Sequence, residues 1–229
     1  MPLGGRLIVA LDTANAVRAR GWADAVAAHA GLLKLGLEFF LANGSAGVQG
    51  FAGAPIFLDL KLHDIPNTVA GGVRAVMPLR PRMLSIHASG GAAMIQAALA
   101  AAGAAADRPM ILAVTVLTSL DQAALNAVGV AATPAEQVLR LGRLAVEAGA
   151  DGLVCSALEV AMLRQALGPA VKLIVPGIRP DGAAAGDQAR TMTPAEAVAA
   201  GADWIVVGRP ITAAGDPGKA AADIAASIR

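Results

Sequence analysis

The chain has 229 residues, a formal net charge of +1, 15% charged and 56% hydrophobic residues, and one cysteine, Cys155. That composition buries a sizeable core, which excludes disorder, and the near-neutral charge lacks the basic footprint of a nucleic-acid binder. A single cysteine excludes an intramolecular disulfide framework and suggests a reducing compartment.

Ahead of Asp12 the apolar stretch is too short for a signal peptide. Residues 7–11 read as the first strand and 14–30 as the first helix; 32–35 and 56–60 read as the next strands, followed by a helix over 69–77. The strand 83–86 leads into a helix over 92–106, and the strand 110–116 into one over 134–148. Three further pairs follow: 152–154 with 157–167, 172–175 with 194–200, and 204–207 with 217–228. Short apolar runs bounded by turn residues suit strands buried on both faces, hence a parallel sheet covered by helices. Thr133-Pro134 and Thr193-Pro194, each with a glutamate soon after, read as helix starts, and Gly149, Gly168 and Gly201 as helix stops.

Eight strands alternating with about eight helices in this length predict an α/β single domain over residues 1–229, a (β/α)8 TIM barrel, with a doubly wound open sheet as the alternative. The longest stretch free of Asp, Glu, Lys and Arg, 83–106, is interrupted by Ser85, His87, Ser89, Gly90, Gly91 and Gln96 and is otherwise rich in alanine, which contributes little to membrane insertion. The chain therefore reads as a soluble cytoplasmic protein with neither a membrane nor a nucleic-acid partner.

Polar residues gather at the strand ends. Asp12 follows the first run, Lys34 lies in the second, and Asp59 and Lys61 finish the third. His87, then Thr115 and Thr118, then Ser156 end the next three; Pro176-Gly177 and Gly208-Arg209 close the last two. Barrel enzymes build their sites there. The densest cluster is Asp59-Leu60-Lys61-Leu62-His63-Asp64-Ile65-Pro66-Asn67-Thr68. On a strand, Asp59 and Lys61 share a face, and a lysine between carboxylates keeps its charge against desolvation and can serve as a general acid. Taken alone, such an Asp-x-Lys is more commonly a structural ion pair.

Gly208-Arg209 after the last strand suits a phosphate, since loops after strands seven and eight often bind one. The 178–190 segment is long enough for a lid, with Arg179, Gln188 and Arg190 as contacts, although its glycines also fit an irregular surface loop. His29, His63 and His87 lack metal-ligand spacing; His29 is expected on a solvated helix face, and His63 and His87 as hydrogen-bonding groups around the site. Cys155 is expected to be a small buried strand residue, and Trp22 and Trp204 packing residues. Residues 121–133 carry no motif.

Five separated segments resemble the orotidine 5′-phosphate decarboxylase family. They are Leu7-Ile8-Val9-Ala10-Leu11-Asp12, Leu33-Lys34-Leu35-Gly36, the stretch from Asp59 to Thr68, Val175-Pro176-Gly177-Ile178-Arg179, and Val206-Val207-Gly208-Arg209-Pro210-Ile211-Thr212; Asp187-Gln188-Ala189-Arg190 fits the family's phosphate loop. The resemblance implies conversion of orotidine 5′-monophosphate to uridine 5′-monophosphate and carbon dioxide, the last step of de novo pyrimidine synthesis, without metal or other cofactor, in a homodimer with shared sites. It implies Lys61 as proton donor, Asp59 beside the substrate carboxylate, and Lys34 and Asp12 on the ribose and in the charged array. Asp64 and Thr68 would reach into the neighbouring site, Ile65 would contact the substrate, and Thr118 would bond the pyrimidine. Pro176 would line the pocket, and Arg179, Gln188, Gly208 and Arg209 would hold the phosphate.

Two alternatives stand beside it. One is a magnesium-dependent sugar-phosphate decarboxylase or aldolase of the same superfamily, whose members carry an acidic ligand where Lys34 stands here, although Glu38 follows. The other is a non-catalytic nucleotide-binding barrel, whose signature would be a broken Asp59/Lys61/Asp64 set.

Overall fold

In the computed structural model, which describes residues 5–180 and 192–228, eight parallel strands close into a barrel in chain order. They are β1 (Leu7–Ala10), β2 (Leu32–Gly36), β3 (Ile56–Leu62), β4 (Met83–His87), β5 (Met110–Val114), β6 (Gly152–Val154), β7 (Lys172–Val175) and β8 (Trp204–Val207). Pairing of β1 with both β2 and β8 closes the ring, so the expected (β/α)8 barrel is the fold and the open sheet is not. Around it lie α1 (Ala16–Val26), α2 (Leu37–Gln49), α3 (Pro66–Val76), α4 (Gly91–Ala102), α5 (Gln122–Ala127), α6 (Pro134–Glu147), α7 (Val160–Leu167), α8 (Pro194–Ala199), α9 (Arg209–Thr212) and α10 (Pro217–Ser227).

Each strand is apolar on both faces because each face meets a different core. Leu7 and Val9 join the layer between sheet and helices, whereas Ile8 and Ala10 point into the barrel, where Leu32, Phe57, Met83, Leu112 and Ile174 fill its lower half. Alternation along each strand therefore reserves the last inward positions, above this plug, for other chemistry. Trp22 and Trp204 pack against the two cores, as expected.

Helix limits follow local chemistry. Thr133 and Thr193 form reciprocal capping boxes with Glu136 and Glu196, as the Thr-Pro-x-Glu strings predict. Gly168 ends α7 at φ 75°, and Gly103 cuts α4 short of its expected end at φ 82°. The first helix runs from the Asn15 cap only to Val26, so His29 lies half-buried in the following turn and not on a helix face. α2 is absent from the sequence expectations: its polar and glycine-rich stretch hides the period, and Gly44, at φ 58°, kinks it. α3 starts earlier than expected, with Pro66 in its first turn. The short α5 falls in the motif-free stretch. At the lower end Arg108 clasps Asp151 through two bonds of 2.7 and 2.8 Å, and Arg164 pairs with Asp203 at 2.7 Å. Among the described residues no helix is long and apolar enough to cross a membrane.

Candidate active site

At the carboxyl ends of the strands lies a cavity of about 430 Å³. Asp12 after β1, Lys34 on β2, and Asp59 and Lys61 on β3 line one side; Thr118, Cys155 and the β7 and β8 ends complete it. A larger depression of about 640 Å³ lies on the outer face between α4 and α6, but the charges named above do not line it.

The charged groups form one chain of alternating sign. Lys34 Nζ stands 2.9 Å from Asp12 Oδ1 and 3.5 Å from Asp59 Oδ2, and Lys61 Nζ stands 2.7 Å from that same Asp59 oxygen. Lys34 and Asp59 are buried, at 8% exposure each. Burial pushes the Asp59 carboxyl up, but Lys34, Lys61 and the hydrogen bonds from Lys61 and Ser85 outweigh it and hold the group below its ordinary value. Burial likewise pulls Lys34 down, and Asp59 and Asp12 together raise it above the usual lysine value. A Cβ on Gly36 would come within 3.2 Å of both Asp12 Oδ1 and Lys34 Nζ, so the glycine of the Lys-x-Gly string keeps room for this pair.

A carboxyl whose folded value is depressed contributes stability that is present above its unfolded value and lost as pH falls through the folded one. Wild type should therefore exceed Asp59→Asn in thermal midpoint at neutral pH, with the gap closing only in acid below the ordinary aspartate value. A gap independent of pH would contradict this account.

The third strand does not deliver Asp59 and Lys61 by simple alternation. Leu58 pairs with Leu84 and Leu62 with Ile86, so Asp59, Leu60 and Lys61 face the single residue Ser85 across a register shift. Lys61 takes φ 49°, a left-handed conformation uncommon outside glycine. Ser85 occupies the gap, fully buried: its Oγ accepts from Lys61 N at 2.9 Å and donates to Asp59 Oδ1 at 2.8 Å. Sequence reasoning passed over Ser85, yet Met83, Ser85 and His87 share one face of β4, which would have placed it inside the barrel.

Across the cavity, Gly177 at φ 79° turns the chain after β7. Ile178 and Met192 form a parallel bridge, and Arg179 N donates to Met192 O at 3.0 Å, so the two ends of the long connection are held together. Burial, and then the charge of Arg209, both weigh against the Arg179 cation, which places two guanidiniums at one corner. A Cβ on Gly208 would meet Ala10 Cβ at 3.5 Å and Asp12 Oδ2 at 3.7 Å, both ordinary contacts. Gln188 and Arg190 lie outside the described residues.

Other expected residues stand elsewhere. Asp64, Ile65 and Thr68 are exposed, outside the cavity lining, and Asp64 Oδ1 accepts from Ile65 N at 2.7 Å. In this chain Lys61 thus pairs with Asp59 and is not flanked by Asp64, contrary to the flanking by two carboxylates that the string suggests. Thr115 donates to Val154 O and Ser156 caps a short 3-10 turn, Ala157–Glu159, so these two strand-end hydroxyls serve the backbone. The rings of His87 and His63 lie against each other, centroids 5.3 Å apart and planes tilted by 37°. Burial, then the charges of His63 and Lys61, hold His87 below its ordinary value against an opposing pull from Asp59. Cys155, 1% exposed, is buried in the cavity wall.

A (β/α)8 barrel with a Lys–Asp array at three strand ends and two arginines on the facing loops defines a barrel enzyme. Residues 5–224 match the orotidine 5′-phosphate decarboxylase / HUMPS family, and the chain belongs to that family. It is 58% identical over 217 residues to orotidine 5′-phosphate decarboxylase of Gluconobacter oxydans, covering 93% of this chain and 92% of that one. To the enzyme of the same name in Anaeromyxobacter dehalogenans it is 57% identical over 225 residues, covering 97% and 98%. The crystal structure of orotidine 5′-phosphate decarboxylase from Lactobacillus acidophilus superposes with a TM-score of 0.86 at 38% identity, covering 98% of this chain and 99% of that one.

Proposed function

We propose that this chain is a carboxy-lyase that decarboxylates orotidine 5′-monophosphate to uridine 5′-monophosphate, the last step of de novo pyrimidine synthesis, in the cytoplasm. The observation that carries the reading is the 2.7 Å contact of Lys61 Nζ with Asp59, inside a cavity whose opposite loops bring Arg179 and Arg209 together.

The bond from C6 to the carboxylate breaks, carbon dioxide leaves, and the electron pair stays on C6 in the ring plane, where the π system delocalises it poorly. The Lys61 ammonium stands fixed beside that carbon, stabilises the pair without reorganising and then gives it a proton. The resulting amine regains its proton from solvent. Asp59, ionised and held by three donors, fixes the position of Lys61 and lies next to the departing carboxylate. Lys34 and Asp12 complete the array and contact the ribose, and Thr118 bonds the pyrimidine. Arg179, Arg209, Gln188 and the bare backbone at Gly208 take the phosphate, with Pro176 lining the pocket, so binding energy remote from the reacting bond organises the site.

The exposed Asp64, Ile65 and Thr68 fit a homodimer in which this segment enters the partner's cavity and supplies the second carboxylate beside Lys61. Ile65, 67% exposed, is a large apolar side chain that such an interface would cover. No cofactor is needed: the ammonium supplies both the charge and the proton. On the magnesium-dependent alternative an acidic ligand would stand near the end of β2; Glu38 instead accepts from Ala14 N at 3.1 Å and does not line the cavity. The non-catalytic alternative would lack one of Asp59, Lys61 and Asp64, and all three are present.

The direct test follows the ultraviolet absorbance of orotidine 5′-monophosphate on addition of purified protein, with and without a chelator. Chelator-resistant loss of substrate is expected. Turnover that requires magnesium would favour the sugar-phosphate branch, and nucleotide binding without turnover a binding protein.

A further inference from the structure

We propose that Ser85 is a positioning residue for the decarboxylation, holding Asp59 and Lys61 in their working geometry through one buried hydroxyl. The inference rests on the decarboxylase reading of this cavity.

The register shift places Ser85 alone opposite the three residues that carry the two charged groups. A ladder interrupted in this way leaves backbone groups that must find other partners. Lys61 N finds Ser85 Oγ at 2.9 Å, and this bond secures a residue in a conformation that a lysine seldom adopts. A serine hydroxyl has one proton and two acceptor sites. Because the amide of Lys61 can only donate and an ionised Asp59 can only accept, the direction of both bonds is fixed. The hydroxyl proton therefore goes to Asp59 Oδ1 at 2.8 Å, leaving Oδ2 to meet Lys34 and Lys61. One side chain thus orients the carboxylate by one oxygen and the lysine by its backbone, without being an obvious acid, base or nucleophile.

The groups facing Asp59 are Lys34 from β2, Lys61 from its own strand, Asp12 beyond Lys34, and His87 from the end of β4. Removing the Ser85 donor takes away one bond that favours the ionised carboxyl, so the carboxyl should protonate at higher pH than in wild type.

The test compares wild type with Ser85→Ala and Ser85→Thr. Hydrogen bonds to charged groups of this kind translate into a loss of roughly tenfold to a hundredfold in kcat for Ser85→Ala, with little change in KM. The acid limb of the kcat profile should move to higher pH, also in a His87→Asn background, and Ser85→Thr, which keeps the hydroxyl, should recover most of the loss. Wild-type kcat with an unmoved acid limb in Ser85→Ala would overturn the assignment. So would a lowered kcat with an unmoved limb, which a merely structural role produces. Should Ser85→Ala not fold, Ser85→Cys, a weak donor, carries the same comparison. The two failures are distinguishable: absence of turnover in the wild-type assay refutes the decarboxylase, whereas a carbon-13 NMR titration of the Asp59 carboxyl identical in wild type and Ser85→Ala refutes the role of Ser85.

Discussion

Lys61→Ala is expected to abolish nearly all decarboxylation while product-nucleotide binding stays measurable. Two contributions go at once. Proton delivery by a positioned acid contributes about 10²- to 10⁴-fold, and a preorganised charge at the site of the developing anion about 10²- to 10³-fold. The two act on the same carbon through one nitrogen, so a loss of at least ~10⁴-fold in kcat is the expected result. The variant also strips Asp59 of its 2.7 Å partner, leaving that carboxylate uncompensated where the substrate carboxylate is proposed to lie. Arg179 and Arg209, the proposed phosphate ligands, follow β7 and β8 and do not depend on Lys61, so uridine 5′-monophosphate should still bind in a titration calorimeter. Turnover near the wild-type rate would remove Lys61 as the acid.

The second large effect concerns assembly. Asp64→Ala and Lys61→Ala are each expected to be inactive alone and to regain activity when mixed. If Asp64 serves the neighbouring site, a heterodimer of the two holds one site with both residues intact and one with neither. Random exchange makes half the dimers mixed, so about a quarter of wild-type activity should return for a two-fold symmetric pair. The exposed stance of Asp64, Ile65 and Thr68 is the structural reason to expect it. No recovery, with subunit exchange demonstrated independently, would place Asp64 in its own protomer's chemistry.

Much of this was legible in the sequence, and the residues that were not share a cause. Apolar runs and the polar residues that end them report burial on each strand directly, so Asp12, Lys34, Asp59, Lys61 and the β7 and β8 ends were visible at once. What one strand's sequence does not carry is its register against the next. The shift between β3 and β4 depends on both strands, and with it the left-handed Lys61 and the bonding of Ser85. The same limit explains Thr115 and Ser156, whose hydroxyls sit at strand ends like functional groups but turn to backbone partners. Asp64 shows the complementary limit, since a string that places two carboxylates near one lysine does not say that both will face it: Asp64 lies exposed, outside the cavity lining. α2 escaped because its interior glycines and small polar residues blur the period that burial of Phe39 and Val48 would otherwise mark.

The two ends of the barrel are put to different uses. At the lower end Arg108–Asp151 and Arg164–Asp203 tie neighbouring connections to strand starts, with Asp151 and Asp203 also accepting from the backbone of Ile111 and Leu173. At the upper end the charges form a chain open to the cavity. Folding and chemistry are thus written at opposite poles of one cylinder, separated by the plug of Phe57, Met83 and Leu112. Substitutions that reshape the upper loops to fit another phosphorylated ligand leave the clasp below untouched, which gives such a barrel latitude to change its substrate without first losing its shape.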